Sequence, residues 1–180
     1  GVRLVGSEMC IRDRGNGVGI EMPSINEVLE IGKGRVIQEG KKAAILNFGT
    51  RLEECKKASD LLNKKGINIS IIDARFSKPL DEKLIMEAAT NHEVLISIEE
   101  GSIGGFGSHT MQFLSDKGIF DKGLKFRSMI LPDLFIDQDT PEKMYQKAGL
   151  DSLSIANKVE ETLNSNICLL YTSPSPRDGL

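Results

Sequence analysis

Short apolar runs alternate with amphipathic segments along most of this chain, and few folds accommodate that order. Apolar runs suited to buried strands occupy residues 35–37, 42–48, 67–74, 93–98 and 126–131. Apolar residues at helical spacing lie between them and after the last run. Strands that alternate with helices of this length build a mainly parallel sheet. We therefore expect a three-layer α/β fold, with about five mostly parallel strands and helices on both faces.

Several amphipathic segments carry recognisable helix-start signals. Thr50 stands three residues before Glu53, which is the spacing of a capping box. Asp81 is placed to accept a hydrogen bond from the first turn of a second helix. Thr140 precedes Pro141, and proline suits the first position of a helix. We expect a helix to begin at each of these three places.

Both ends of the chain differ from this pattern. Residues 4–14 and 168–178 show no strand or helix periodicity. A single DNA segment that encodes residues 3–13 also encodes residues 168–178 when its reverse complement is read in another frame. Its bases resemble a transposase adapter used to prepare sequencing libraries. We therefore expect residues 1–14 and the last fourteen residues, 167–180, to be adapter-derived tails, which are excluded from reasoning about the fold.

The sequence between the tails divides into a linker and one domain. Three glycines within residues 15–19, followed by Pro23, are typical of neither a helix nor a strand interior. We expect residues 15–34 to be a linker from a preceding domain that this chain lacks. Residues 35–166 are expected to form a single domain.

Charge, hydropathy and cysteine content exclude several classes of function. A net charge of −3 spread over mixed residues offers no basic stripe for nucleic acid. No apolar run approaches the roughly 20 residues needed to cross a bilayer, and the first residues do not resemble a signal peptide. Cys10, Cys55 and Cys168 lack the spacing of a zinc site or a disulfide framework. We expect a cytoplasmic protein with no nucleic-acid or membrane partner, in which Cys55 is a buried, inert thiol.

The strongest local motif is a pair of glutamates followed by a glycine-rich segment that leads into a helix. Free amides at such a helix start can hold an anion, but the segment lacks both a Walker lysine and a complete dinucleotide-binding glycine pattern. We favour the alternative that the glycines allow close packing on the sheet or against another subunit, with the glutamates on a polar surface. The residues assigned to this structural or interface motif are Glu99, Glu100, Gly104, Gly105, Gly107 and Ser108.

Arg75 and Lys78 follow a predicted strand, at the edge where open α/β sheets often bind ligands. They could bind an anion there; we favour the alternatives that Arg75 pairs with Asp73 or with a neighbouring chain and that Lys78 is solvated. His92 and His109 have no partner at the spacing of a metal or nucleophile site, so both are expected to be capping or surface residues. Spacing alone identifies no catalytic, cofactor-binding or metal-binding residue.

Five motifs together resemble the C-terminal part of the 1-deoxy-D-xylulose-5-phosphate synthase family. They are RGNGVG at residues 14–19, ARF and KPLD within 74–81, EEG and GGFGS within 99–108, LPD and FI within 131–136, and GLD at 149–151. The second and third motifs occur across transketolase-like C-terminal domains. The first motif and the last two are specific to this synthase family.

The resemblance implies a parent enzyme that condenses pyruvate with glyceraldehyde 3-phosphate, releases carbon dioxide and supplies a precursor of isoprenoids, thiamine and pyridoxal. Thiamine diphosphate and Mg²⁺ would be its cofactors, bound by N-terminal and central domains that this chain lacks. The C-terminal domain would complete a homodimer in the bacterial cytoplasm and support those domains. The arginine of the family's RGN element binds the substrate phosphate, and Arg14 occupies that place, although its codon begins in the adapter. The chain alone is expected to be inactive and to bind no cofactor.

Two other interpretations stay open. One is a stand-alone regulatory module that binds an anion with Arg75 and the helix start at residues 104–108. The other is the C-terminal part of transketolase or of a 2-oxoacid dehydrogenase β subunit. The RGNGVG and GLD motifs argue against the second.

Overall fold

A computed structural model describes residues 28–165 of the 180-residue chain. The strands in this part are β1 (Arg35–Gln38), β2 (Ala43–Phe48), β3 (Ile69–Asp73), β4 (Val94–Glu99) and β5 (Lys125–Met129). The helices are α1 (Leu52–Asn63), α2 (Glu82–Asn91), α3 (Phe106–Asp116), α4 (Pro141–Ala148) and α5 (Ser152–Asn164), with a 3₁₀ helix at Phe120–Lys122. Both predicted tails, Arg14 and the first part of the predicted linker lie outside the described residues.

The five strands form one sheet in the order β1-β3-β2-β4-β5. The four strands from β2 to β5 run parallel to their neighbours, whereas β1 is antiparallel to β3 at one edge. The pairing of β1 with β3 changes register between Val36 and Gln38. The predicted α/β fold with about five mostly parallel strands is confirmed.

Two apolar cores cover the two faces of the sheet because successive strand residues point to opposite sides. On one face, Ile45 and Ile96 pack with residues of α1 and α5. On the other face, Leu46 and Leu95 pack with residues of α2 and α3. Burial on both faces explains why the central strands read as nearly continuous apolar runs. The layers are therefore helix, sheet and helix, as predicted.

The helix-start predictions had different outcomes. Asp81 caps α2 as predicted, since its Oδ1 accepts a hydrogen bond from the amide of Leu84 at 3.2 Å. The predicted capping box at Thr50 is wrong, because Arg51 holds the N-cap position of α1 and no side chain caps that helix. Thr50 instead donates its hydroxyl to the carboxylate of Glu100. A contact that is distant in the sequence has replaced the local one.

Glu54 ties α1 to α5 across one face of the sheet. Its Oε2 accepts a hydrogen bond from the first amide of α5, at Ser152, at 3.0 Å, and its Oε1 lies 2.7 Å from Lys57 Nζ. Burial acts to raise the pKa of Glu54, but the hydrogen bonds from Lys57 and Ser152 outweigh it and hold the pKa below the usual value of 4.5. Folding therefore favours the charged carboxylate.

Replacing Glu54 by Gln should lower the free energy of unfolding near neutral pH by about 1 kcal/mol, because a charged hydrogen bond to the start of α5 is weakened. The stabilisation from a lowered pKa is present above the unfolded value of 4.5 and is lost as pH falls through the folded value. The difference between wild type and E54Q should therefore shrink below that pH. Urea unfolding at a series of pH values measures both effects.

The matched control for this test is Glu161→Gln. Glu161 lies on α5 and pairs with Lys158 at an exposed position, so its replacement should change the free energy of unfolding by less than about 0.5 kcal/mol. A loss in E54Q that is the same at every pH would contradict the assignment.

Cys55 lies on the buried face of α1 and is fully buried. Burial raises the pKa of its thiol to about 12. In a variant with Cys10 and Cys168 replaced by serine, the remaining thiol should not react with an aromatic disulfide reagent at neutral pH while the chain is folded, because thiolate is the reactive form. It should react completely in denaturant. Rapid stoichiometric reaction of the folded variant would show that the site is open.

Candidate functional site

The carboxyl ends of the parallel strands bring most of the predicted site residues to one edge of the sheet. Arg75 follows β3, and Glu99 and Glu100 stand at the end of β4. β2 lies between these two strands. This edge is where open α/β sheets usually place ligands, so its side chains decide whether a site exists.

Glu99 joins the end of β4 to the beginning of α3. Its Oε2 accepts a hydrogen bond from the amide of Phe106 at 3.0 Å, and its Oε1 accepts one from the amide of Gly107 at 2.8 Å. The residue is only 5% exposed, so the expectation that Glu99 lies on a polar surface is wrong. A carboxylate is favoured at this position because the first amides of a helix carry partial positive charge. The chain thus supplies its own anion to the helix start.

This arrangement bears directly on the alternative in which the free amides at the helix start hold an anion. The amides of Phe106 and Gly107, which would hold a phosphate, already bind Glu99. The amide of Gly104 donates to the hydroxyl of Ser108 at 3.0 Å. An incoming anion would have to displace these internal partners.

The glycines of the motif are required by close approach. A side chain at Gly105 would place its Cβ 2.4 Å from Glu99 Oε2. At Gly107 the Cβ would lie 2.3 Å from Ser128 Oγ and 2.6 Å from Ser97 Oγ, so α3 can touch the sheet only without a side chain there. Gly104 has a φ of 97°, which side-chain-bearing residues rarely adopt. These contacts support the packing role that we favoured from the sequence.

Glu100 belongs to a separate cluster that sequence reasoning missed. Its Oε1 lies 2.7 Å from Arg51 Nε, and the contact is one of charge, since that nitrogen has no hydrogen-bond partner. The guanidinium of Arg51 stacks 3.5 Å above the ring centre of Tyr145. Burial, and then Glu100, raise the pKa of Tyr145. The three residues come from distant parts of the chain, so no local pattern could have predicted the cluster.

The cluster lies beside an open cleft of about 340 Å³ between α1 and α4. Its lining residues carry both charges and are Arg51, Glu54, Lys57, Pro141, Glu142, Tyr145 and Asp151. Lys57 is paired with Glu54, and Arg51 lies against Glu100. Both basic groups of the cleft are therefore already paired with carboxylates of the chain.

Arg75 lies close to Asp73, the partner predicted for it, but does not bind it alone. Arg35 Nε is 3.0 Å from Asp73 Oδ2, and Arg75 Nε is 3.8 Å from the same oxygen. Arg75 also has a φ of 56°, in the left-handed region that few non-glycine residues adopt. Lys78 is exposed at the surface.

The two histidines connect elements. His92 Nε2 is 2.8 Å from Ser70 Oγ, and its Nδ1 is 2.8 Å from the carbonyl oxygen of Ala88. A base and a hydroxyl at this distance resemble a nucleophile pair, but Ser70 is 5% exposed and its oxygen accepts a hydrogen bond from the amide of Gly40. This pair therefore joins the end of α2 to β3 and, through Gly40, to the turn before β2. His109 Nδ1 lies 3.2 Å from the carbonyl oxygen of Ser77.

Metal-ligating side chains do not gather within residues 28–165. This part of the chain has no group of three or more His, Cys, Asp or Glu residues able to hold a metal ion. Nor does any helix in the same range combine the length and the apolar composition required to cross a membrane.

Comparison with known proteins identifies a family, and the similar solved structures include two transketolases. Residues 32–155 match the family model described as transketolase, C-terminal domain. A split-gene transketolase, solved as an inactive beta4 tetramer, is 28% identical, with a TM-score of 0.71 over 80% of this chain. A transketolase mutant from Pichia stipitis, solved with xylulose 5-phosphate, is 11% identical, with a TM-score of 0.50 over 73% of this chain, and it supports the fold alone. The chain spans 46% and 18% of these two chains.

Replacing Glu99 by Gln should lower the free energy of unfolding by about 2–3 kcal/mol, because the NH₂ group of glutamine cannot accept a hydrogen bond and one buried backbone amide loses its partner. Urea unfolding monitored by circular dichroism measures the loss. The control is Glu87→Gln, since Glu87 is an exposed residue of α2 in a 3.8 Å contact with Lys83. It should change the free energy by less than about 0.5 kcal/mol. Equal losses in the two variants would disprove the capping role of Glu99.

Proposed function

The chain belongs to the transketolase C-terminal domain family, and from this membership we propose that it is the C-terminal domain of a 1-deoxy-D-xylulose-5-phosphate synthase. The parent would be a thiamine-diphosphate-dependent transferase of the bacterial cytoplasm. It would join pyruvate to glyceraldehyde 3-phosphate with loss of carbon dioxide, and its product would feed isoprenoid, thiamine and pyridoxal synthesis. The domain would complete the homodimer and support the catalytic domains, and it would perform no chemistry itself.

One observation supports a structural role for the domain. The charged residues at the carboxyl edge of the sheet are bound to other groups of the same fold. Glu99 binds the start of α3, and Glu100 binds Arg51. Asp73 is shared between Arg35 and Arg75. Carboxylates that could perform acid-base chemistry in an active site here form hydrogen bonds and ion pairs that stabilise the fold.

The choice of the synthase within the family rests on motifs near the end of the domain. LPD and FI within residues 131–136 and GLD at 149–151 favour it over transketolase. The 28% identity with a split-gene transketolase is compatible with transketolase itself, which is the second candidate. A 2-oxoacid dehydrogenase β subunit has less support, because the motifs at 14–19 and 149–151 argue against it.

The described residues do not fit the cofactors that the family implies. A Mg²⁺ site needs several oxygen ligands at one point, and residues 28–165 contain no cluster of metal-ligating side chains. The amides at the start of α3, which suit a phosphate, bind Glu99 instead. As the family resemblance implies, we propose that thiamine diphosphate and Mg²⁺ bind in the N-terminal and central domains of the parent.

We propose one contact with the substrate phosphate, made by a residue that lies outside the described part of the chain. Arg14 occupies the place of the arginine that binds the substrate phosphate in the synthase family, and a guanidinium suits a phosphate well. The rival regulatory module, which would bind an anion through Arg75 and the helix start, has less support because Glu99 already fills that helix start.

The purified chain, supplied with thiamine diphosphate and Mg²⁺, should release no carbon dioxide from pyruvate above the rate without protein. The genomic reading frame upstream of codon 15 should encode a GDG cofactor motif and, between that motif and codon 15, a catalytic glutamate. The control is the full-length parent expressed from that frame, which should be active in the same assay. Activity of the chain alone, or a frame that stops just before Gly15, would overturn the proposal.

A further inference from the structure

Two loops at the carboxyl edge of the sheet expose large apolar side chains. Ile103, between β4 and α3, is 79% exposed. Leu134 and Phe135, which follow β5, are 60% and 100% exposed. A fully exposed phenylalanine next to an exposed leucine is typical of a surface that another protein covers. We call Ile103, Leu134 and Phe135 the apolar edge patch.

The two loops are held together by the fold. The amide of Leu131 donates to the carbonyl oxygen of Gly101 at 2.9 Å. Ile103 is two residues from one end of this bond, and Phe135 is four residues from the other. At roughly 3.5 Å per residue, the backbone of the patch spans at most about 25 Å. That width fits within a standard interface, which buries about 800 Å² on each partner.

The patch rests on a rigid base. Glu99 fixes the glycine loop to α3 through two backbone hydrogen bonds. Leu131 packs against the core formed with α1 and α5. The amide of Leu134 donates to the carbonyl oxygen of Pro132 at 2.8 Å. A preformed surface loses little conformational entropy when a partner binds.

The polypeptide enters the domain at the same edge. Arg35, the first residue of β1, pairs with Asp73 at the carboxyl end of β3. Just before it, the amide of Gly34 donates to Asp81 Oδ2 at 3.1 Å, and Gly32 lies so close to Pro79 that an added Cβ would be 2.8 Å from its ring. In the parent, the polypeptide that leads into this domain therefore approaches it from the side of the sheet that carries the patch.

We propose that the apolar edge patch is the docking surface for the domain that directly precedes this one in the parent polypeptide. The inference rests on the proposed function and adds the residues that make the contact. Exposed carboxylates of Asp133 and Asp137 flank Leu134 and Phe135. The complementary surface should therefore be apolar at its centre with Lys or Arg at its rim, because opposite charges at a rim favour correct docking.

Amide hydrogen exchange, compared between the full-length parent and the 180-residue chain, tests this proposal. Residues 101–105 and 131–136 should exchange at least about tenfold more slowly in the parent, because docking shields and rigidifies them. Residues 117–123, which connect α3 to β5 at the opposite edge, are the internal control and should exchange alike in both. Equal exchange of the two loops in the parent and the chain would overturn the proposal.

Substitutions in the parent test whether Phe135 itself contacts the preceding domain or only lies near it. Phe135→Ser should speed exchange in residues 101–105 as well as around its own site. Met111→Ser, at a half-exposed position on the outer face of α3, is the matched control and should leave both loops protected. Since Phe135 is fully exposed, its replacement should not change the thermal midpoint of the isolated chain. Protection of residues 101–105 that is unchanged by F135S would overturn the proposal.

Dilution of the parent shows whether the two loops are protected from exchange by the preceding domain or by a second copy. Docking of a preceding domain in the same polypeptide is independent of concentration, whereas docking of a second copy weakens as the parent is diluted into monomers. Protection that disappears on dilution would assign the patch to a second copy and overturn the proposal. Absence of an upstream frame would remove the proposed function together with this inference; a frame without loop protection would remove only the inference.

Discussion

A buried carboxylate at the end of the central strand β4 holds the carboxyl edge of this sheet together. Glu99 accepts hydrogen bonds from the amides of Phe106 and Gly107 and so joins β4 to α3. Gly105 follows from it, because a side chain there would collide with Glu99, whereas Gly107 is required by the serines of β4 and β5. The same carboxylate fills the place where an anion would bind. One interaction thus accounts both for the glycine at position 105 and for the attachment of the loop to α3.

The general architecture could be predicted because it depends on periodicity within short segments. The strand residues of β2 and β4 and the cap at Asp81 needed no knowledge of distant residues. The predicted capping box at Thr50 failed because a stronger partner, Glu100, is fifty residues away. The direction of β1 was also beyond prediction, since it depends on which strand edge is free once β2 and β3 have paired.

The candidate site was predicted only in part. The glutamates and glycines at residues 99–108 attracted attention because they are close in the sequence. The cluster of Arg51, Glu100 and Tyr145 did not, because its members meet only when α4 folds back over the start of α1. In this domain, a conspicuous local motif stabilises the fold, while an inconspicuous long-range cluster joins its C-terminal helices to the sheet. Motif strength is therefore a poor guide to chemical activity here.

The antiparallel edge strand has a consequence for the order of assembly during synthesis. Arg35 pairs with Asp73, which lies thirty-eight residues later in the chain. A ribosome therefore releases β1 well before its only neighbour in the sheet exists, and the cost of closing that loop must be met before the pairing contributes. The segment that emerges first stays unpaired until β2 and α1 have followed it. Any domain encoded upstream would therefore leave the ribosome before β1 gains its partner in the sheet.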